Sequence, residues 1–269
     1  MPSPPVPAAT LILLQDGPVS PRVLLLQRDA RSDLLPDAYV FPGGRVEEDD
    51  ARLAPELELE ERGLSGLTPR ALGGLMVAAI RETFEEAGLL LVRHRGQTSL
   101  LTADDLAALH EDRRALQSGR LRFAELIARK ELELAFDTLV PHARWITPEI
   151  VPRRFDTFFF AARAPRKQVA LHDGVEASSH VWIRPEDALA ERERGERAMI
   201  FPTACNLESL VGFDDVEEAL AASRRRPLST ILPVLELRDG RRCMVIPRDA
   251  GYSRTTEPVE ALPRGHLET

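Results

Sequence analysis

Residues 81–89 read Arg-Glu-Thr-Phe-Glu-Glu-Ala-Gly-Leu and follow an apolar stretch, Leu75-Met76-Val77-Ala78-Ala79-Ile80. Gly88 suits the left-handed position after a helix, so the pattern predicts one helix ending just before it. On that helix Glu82, Glu85 and Glu86 fall at i, i+3 and i+4, which is one face. Three carboxylates on one turn repel each other, and a hard divalent cation with oxygen ligands relieves that repulsion. A solvated surface helix with an ordinary Arg81–Glu85 pair accounts for the same letters, so the run alone does not decide.

A second segment changes the balance. Phe41-Pro42-Gly43-Gly44-Arg45-Val46 leads into the acidic run Glu47-Glu48-Asp49-Asp50. Together the two segments resemble the halves of the Nudix box, Gly-x5-Glu and Arg-Glu-U-x-Glu-Glu-x-Gly-U, where U is a bulky aliphatic residue. Counted from Gly44, Asp50 stands at the position of the first Glu, Thr83 replaces the first U, and Leu89 satisfies the second. Residues 51 to 80 separate Asp50 from Arg81, 30 residues where the family has seven, an interruption of 23. The segment 51–74 contains two prolines, and its second half holds five glycines or prolines, so it is expected to leave and re-enter the helix start as a loop. A similarly interrupted box occurs in the Nudix subgroup that includes peroxisomal coenzyme A diphosphatases.

The resemblance implies an α/β Nudix fold: a mixed β-sheet sandwiched between α-helices, with a helical insertion. The expected boundaries are one domain over 8–250, a box interruption at 51–74, a helical insertion at 102–132, a C-terminal helix and hairpin at 206–250, and a tail at 251–269. Local patterns fill in the frame. Thr10 to Gln15 and Val23 to Arg28 read as a hairpin about Asp16-Gly17-Pro18. Tyr39-Val40-Phe41 is a short strand entering the Gly-Gly loop, and Leu89 to Val92 reads as a buried strand. Thr102 and Asp105 form a capping box for helices that Gly119 divides, and this hairpin is expected as an insertion or lid over the core. Further strands are expected at 143–146, 154–162 and 180–183, the last leading into a helix with Pro185 near its first position. Asn206 to Leu220 reads as one helix, and 231–246 as a hairpin turning at Asp239-Gly240.

The chain has 269 residues, a net charge of −8 and two cysteines, Cys205 and Cys243. Two cysteines make no disulfide framework, which points to a reducing, cytoplasmic setting. The acidic balance, with no basic tract to offset it, argues against a nucleic-acid partner. No apolar run approaches the ~20 residues that span a bilayer, and the first residues lack the basic and apolar regions of a secretion signal. A homodimer is compatible with the sequence. The six histidines show no zinc-type spacing.

The resemblance also assigns roles. Glu82, Glu85, Glu86 and the Gly44 carbonyl are the implied ligands of Mg²⁺ or Mn²⁺, with Glu82 or Glu86 in the catalytic step and Arg81 fixing a box carboxylate. Arg28, Arg153 and Arg154 are candidates for binding substrate phosphates, each with a plain surface or strand-end alternative. Glu176 is either an additional ligand or base, or a solvated loop residue; Asp50 is a further candidate in the same network. Phe158, Phe159 and Phe160 are expected in the core. The implied reaction is hydrolysis of a nucleoside diphosphate linked to another moiety, with coenzyme A or acyl-coenzyme A giving 3′,5′-ADP and (acyl)phosphopantetheine as the first reading. ADP-ribose or a nucleotide sugar is the alternative substrate, and a Nudix-fold nucleotide-binding regulator without turnover the alternative class. The signature frequent in coenzyme A Nudix enzymes is not met: Leu26, Asp29, Asp33 and Asp37 depart from it, although the spacing from Arg28 to Phe41 is kept.

Overall fold

A computed structural model of the chain describes residues 3–32, 35–54 and 67–261. Asp33, the middle of the interruption at 55–66 and the end of the tail at 262–269 lie outside the described residues. Strands β1 (Val6–Gln15) and β2 (Arg22–Arg28) leave their turn as an antiparallel pair, Leu14 opposite Val23, and then diverge. The gap is filled from the next segment. Strand β3 (Tyr39–Val40) takes the freed edge of β2, and β4 (Gly43–Arg45) takes that of β1, with Gly44 opposite Ala9. The Gly-Gly segment is therefore part of the sheet rather than a free loop. Strand β1 also begins earlier than expected, because Val6 to Ala9 pair in parallel with the strand that starts at Phe155.

Two helices carry the box. Helix α1 (Glu48–Leu53) contains Asp50, and α2 (Pro69–Ala87) contains Arg81 to Glu86. The expected loop at 51–74 is thus helical at both ends: 51–53 finish α1, and 69–74 open α2 behind Pro69 at its first turn. The Thr68 hydroxyl caps α2 by accepting from the Ala71 N–H at 3.2 Å, and Gly88 ends it at φ 68°. The strand expected at 89–92 forms only from Val92. The Gln168 carboxamide bonds both the N–H and the C=O of Leu90, which withdraws that peptide from any ladder. Strand β5 (Val92–His94) pairs with β6 (Leu132–Leu134). Between them lie α3 (Ala103–Ala107), α4 (His110–Gln117) and α5 (Phe123–Arg129), three short helices where two were expected, the first capped by Thr102 and Asp105. Helix α5 packs on α1 and α4 on α2, and none of the three lines the cleft described below.

The sheet is completed by β7 (Val140–Ile146), β8 (Phe155–Arg163) and β9 (Ala177–Ile183). Its other face is covered by α6 (Pro185–Glu193), α7 (Phe201–Glu208) and α8 (Val216–Arg225). The single helix expected at 206–220 is two helices, divided at Gly212 (φ 88°) and restarted by the Asp215 carboxylate, which accepts from Glu218 N–H. A short β10 (Thr230–Ile231) gives the edge, so the order is β10-β7-β8-β1-β2-β3, with β4 beside β1 and β9 beside β2. Both parallel and antiparallel pairs occur, and helices cover both faces. Successive side chains of β1 serve the two layers: Leu11 and Leu13 pack with Leu75, Ile80 and Phe84, whereas Ile12 and Leu14 pack with Phe201, Leu207 and Leu220. Burial on both faces explains why this strand reads as an unbroken apolar run.

A separate antiparallel sheet follows, β11 (Val234–Arg238), β12 (Arg241–Val245) and β13 (Thr256–Pro258). Asp239 and Gly240 both have positive φ, 48° and 77°, as a two-residue hairpin of type I′ needs. The expected boundary at 250 moves outward, because β13 and the buried Tyr252, whose hydroxyl bonds Asn206 Oδ1 at 2.6 Å, belong to the folded body.

Candidate active site

The junction of β4 with α2 brings the two halves of the box together. Arg81 is buried and sends Nε and Nη2 to the two oxygens of Asp50, at 3.0 and 2.9 Å. The same Nη2 bonds the Arg45 carbonyl at 2.9 Å, and Nη1 reaches Glu82 at 2.8 Å and Glu85 at 3.4 Å. Asp50 also accepts from Glu47 N–H, which closes the first turn of α1. Asp50 is 1% exposed, so it anchors Arg81 and does not face a ligand. Burial alone would lower the affinity of the Arg81 guanidinium for its proton. The Asp50 bonds and the neighbouring Glu82 charge outweigh burial and raise it.

Glu86 is also buried, and its Oε2 accepts from the Gly43 N–H at 2.9 Å. Gly44 lies against the Glu82 carboxylate, and a β-carbon there would collide with it; one at Gly43 would meet the backbone of Ala9 and Thr10. Backbone bars a side chain at Gly43, and one at Gly44 would push the Glu82 carboxylate from its place. Burial pushes the Glu82 carboxyl up to about 7, against the pull of Arg81. It also drives Glu86 well above its ordinary value, with the Glu82 charge adding and the Gly43 N–H opposing, and it raises Glu85 against the pull of Arg81. Glu176 adds to the shifts at both Glu82 and Glu86, so the structure brings this loop residue to the same site.

These features fit a hard divalent cation. The donors are all oxygen, the backbone at Gly44 approaches without a side chain, and burial disfavours the carboxylates as bare ions. Among the described residues no three Asp, Glu, His or Cys side chains already converge as a ready ligand set. Arg81 draws Glu82 and Glu85 to itself, while Gly43 holds Glu86.

A half-open cleft of about 730 Å³ runs from this junction. Its charged lining comes from Glu47, Glu82, Glu176, Arg28, Arg45 and Arg153. Arg28 also bonds the Ser32 hydroxyl at 2.7 Å and moderates the shift at Glu86. Arg154 does not join them: it is buried and bonds the carbonyls of Thr147 and Ser3, so it serves the start of β8. Its apolar lining includes Trp145, Phe155, Phe159, Phe201 and Met244. Phe158, Phe159 and Phe160 all sit in the core as expected, Phe158 and Phe160 on the α2 side and Phe159 in the opposite layer, where it also lines the cleft. The sequence did not mark Trp145, Phe201 or Met244 as cleft residues, because they come from a strand, a helix and a second sheet whose approach to the box is set only by tertiary packing, and Glu47, within the acidic run after Gly44, was not told apart from its neighbours. Asp37, where the coenzyme A signature carries glycine, keeps a positive φ of 59°, so the backbone form persists with a different residue.

Among the described residues no helix is long and apolar enough to cross a membrane, and both cysteines are buried and free.

Comparison with known proteins agrees with this geometry. The family model described as the NUDT19 Nudix domain matches residues 54–208. The chain is similar to a putative nudix hydrolase 7 of Caenorhabditis elegans, 29% identical over 189 residues, covering 70% of this chain and 55% of that protein. It is also similar to the acyl-coenzyme A diphosphatase NUDT19 of Gallus gallus, 30% identical over 243 residues, covering 72% and 64%. The chain thus spans somewhat over half the length of these curated relatives. Among solved structures, a NUDIX hydrolase from Alicyclobacillus acidocaldarius superposes with a TM-score of 0.64 at 27% identity, covering 81% of this chain and 96% of that one.

Proposed function

The chain belongs to the NUDT19 Nudix domain family, and on that premise we propose that it is a divalent-metal-dependent diphosphatase acting on coenzyme A or acyl-coenzyme A. The observation that carries the reading is the meeting of Gly43-Gly44 with Glu82 and Glu86 beside a cleft lined by both charged and apolar side chains. Glu82, Glu85 and Glu86, with Gly44 beside them, would hold Mg²⁺ or Mn²⁺. The bound cation supplies neutralisation of the diphosphate and acidification of a water. Arg28 and Arg153 would pair with substrate phosphates, and Arg81, tied to Asp50, keeps Glu82 and Glu85 in place. Glu176, which lines the same cleft as Glu82, would orient the attacking water or accept its proton. The apolar walls at Trp145, Phe159, Phe201 and Met244 suit the non-phosphate part of an acyl-coenzyme A, and the name of the Gallus gallus relative supports that choice.

The test is a product panel. The protein is incubated with Mg²⁺ or Mn²⁺ and, separately, coenzyme A, an acyl-coenzyme A, ADP-ribose, NADH and nucleotide sugars. Release of 3′,5′-ADP from the coenzyme A compounds is expected. Turnover of ADP-ribose or nucleotide sugars alone would replace the substrate, and binding without turnover of any of them would replace the enzyme by a regulator.

A further inference from the structure

The helical insertion sends one buried side chain back to the site. Arg113, on α4, directs Nε and Nη2 to the Glu85 carbonyl at 3.2 and 2.9 Å. Its Nη2 also bonds the Leu171 carbonyl at 2.8 Å. Gln117, one turn further along α4, adds a bond to the Glu85 carbonyl at 2.6 Å. These carbonyls matter because the last turn of a helix leaves its C=O groups without intrahelical partners. At the end of α2 the Ala87 carbonyl is taken by Leu171 N–H at 2.8 Å, so the segment after β8 docks on the same turn.

That docked segment leads to Glu176. The Asp173 carboxylate accepts from the N–H groups of Val175, Glu176 and Ala177, at 3.1, 3.0 and 2.8 Å, and folds the loop into a tight turn. The Glu176 carbonyl is in turn held by Asp29 N–H at 2.9 Å. One guanidinium therefore joins the helix end that carries Glu85 and Glu86 to the segment that leads to Glu176. A planar fork with several fixed donors can span two carbonyls in this way, whereas an ammonium is a single point donor.

We propose that Arg113 is a positioning residue that clamps the Glu176 loop to the end of α2 and thereby fixes Glu176 relative to Glu82 and Glu86. The proposal rests on the hydrolase reading for its kinetic consequence but not for its structural one. The helical insertion then acts behind the site as a brace.

Arg113→Met keeps the length and removes every donor. Turnover is expected to fall about 10²-fold, the cost of a misplacement near 1 Å, with KM for the diphosphate little changed. Mn²⁺ affinity, titrated by electron paramagnetic resonance without substrate, is expected to weaken by about tenfold, as outer-shell changes do. Amide exchange at Leu171 and Glu176 should accelerate beyond what the change in global stability explains. In a Glu176→Gln background the same substitution should add less than about a twofold further loss, because both changes act through one group. Arg113→Lys, reaching one carbonyl, should recover part of the turnover. Should Arg113→Met fail to fold, Asp173→Ala opens the same loop from an accessible position and should reproduce the exchange and Mn²⁺ changes. Turnover per folded molecule, Mn²⁺ affinity and loop exchange all at wild-type values would overturn the clamp. A wild-type protein that hydrolyses no diphosphate would defeat the hydrolase reading alone, and loop exchange together with the Mn²⁺ titration would still decide the role of Arg113.

Discussion

Replacing Glu82 with glutamine tests the electrostatics of the site in a direction opposite to ordinary mutational damage. Burial raises this carboxyl from its ordinary 4.5 to about 7 in the folded chain. At pH 4 the group is mostly protonated whether folded or unfolded, so it has little effect on stability. As pH climbs from about 4.5 to about 7 the unfolded chain gives up its proton first, and the folded state loses stability relative to it. Above pH 7 the loss is complete. At about 1.4 kcal/mol per pH unit it is on the order of 3 kcal/mol, or roughly 6–12 °C in Tm for a domain of this size. Glutamine keeps an acceptor for Arg81 Nη1 and carries no charge, and Arg81 retains its paired bonds to Asp50. Thermal unfolding in EDTA should therefore show Glu82→Gln more stable than wild type at pH 8 and equal to it at pH 4. Millimolar Mg²⁺ or Mn²⁺ should raise the wild type at pH 8, by about 2.7 kcal/mol where the free ion stands at 100 times its Kd, and should raise the variant less. The reasoning is refuted if the variant in EDTA is no more stable than wild type at pH 8, or if its gain is the same at both pH values.

Two further substitutions probe the joint between the box halves. Asp50→Ala leaves Arg81 buried with its best partner gone and should cost about 3–5 kcal/mol in urea unfolding; a loss below about 1 kcal/mol would show that the pair does not anchor the box. Gly44→Ala forces a β-carbon into the Glu82 carboxylate and should lower turnover about 10²-fold with only a small change in Tm. Turnover near wild type would mean that the β4–α2 approach is looser than described.

The parts of this fold that were legible are those where one residue type has one physical use. The end of α2 at Gly88, the capping pair Thr102 and Asp105, Pro185 at a helix start and the Asp239-Gly240 turn each report a local backbone need. The misread segments were settled by distant partners. Leu89 to Leu91 has the composition of a buried strand, yet Gln168, 78 residues away from Leu90, takes the hydrogen bonds a neighbouring strand would have used. Arg154 and Arg153 are adjacent and chemically alike. The walls of β8 turn one into structural bonds and leave the other at the cleft, a distinction no local pattern carries. At the site the carboxylates were visible because they share one helical face. Arg113 and the aromatic wall were not, because their relation to the site exists only after α4, β7 and α7 have packed.

The interruption of the box follows from the same logic. What the chemistry needs from residues 44–50 and 81–86 is proximity in space, and three contacts supply it. Ala51 of α1 lies beside Gly74 of α2; Asp50 grips Arg81 with two hydrogen bonds; and the Glu82 carboxylate lies against Gly44. With α1 and α2 already packed together, the segment between them need only close a loop, and the entropy of closure grows slowly with length, about 0.6 kcal/mol per doubling. Exchanging seven residues for 30 therefore costs on the order of 1 kcal/mol, less than the buried Arg81–Asp50 pair would forfeit if it were broken. Spacing along the chain is free to vary where it is bounded by such a pair. The residue types at its two ends are not, since a shorter or uncharged partner at 50 would leave the Arg81 guanidinium buried with only the cleft carboxylates to answer it.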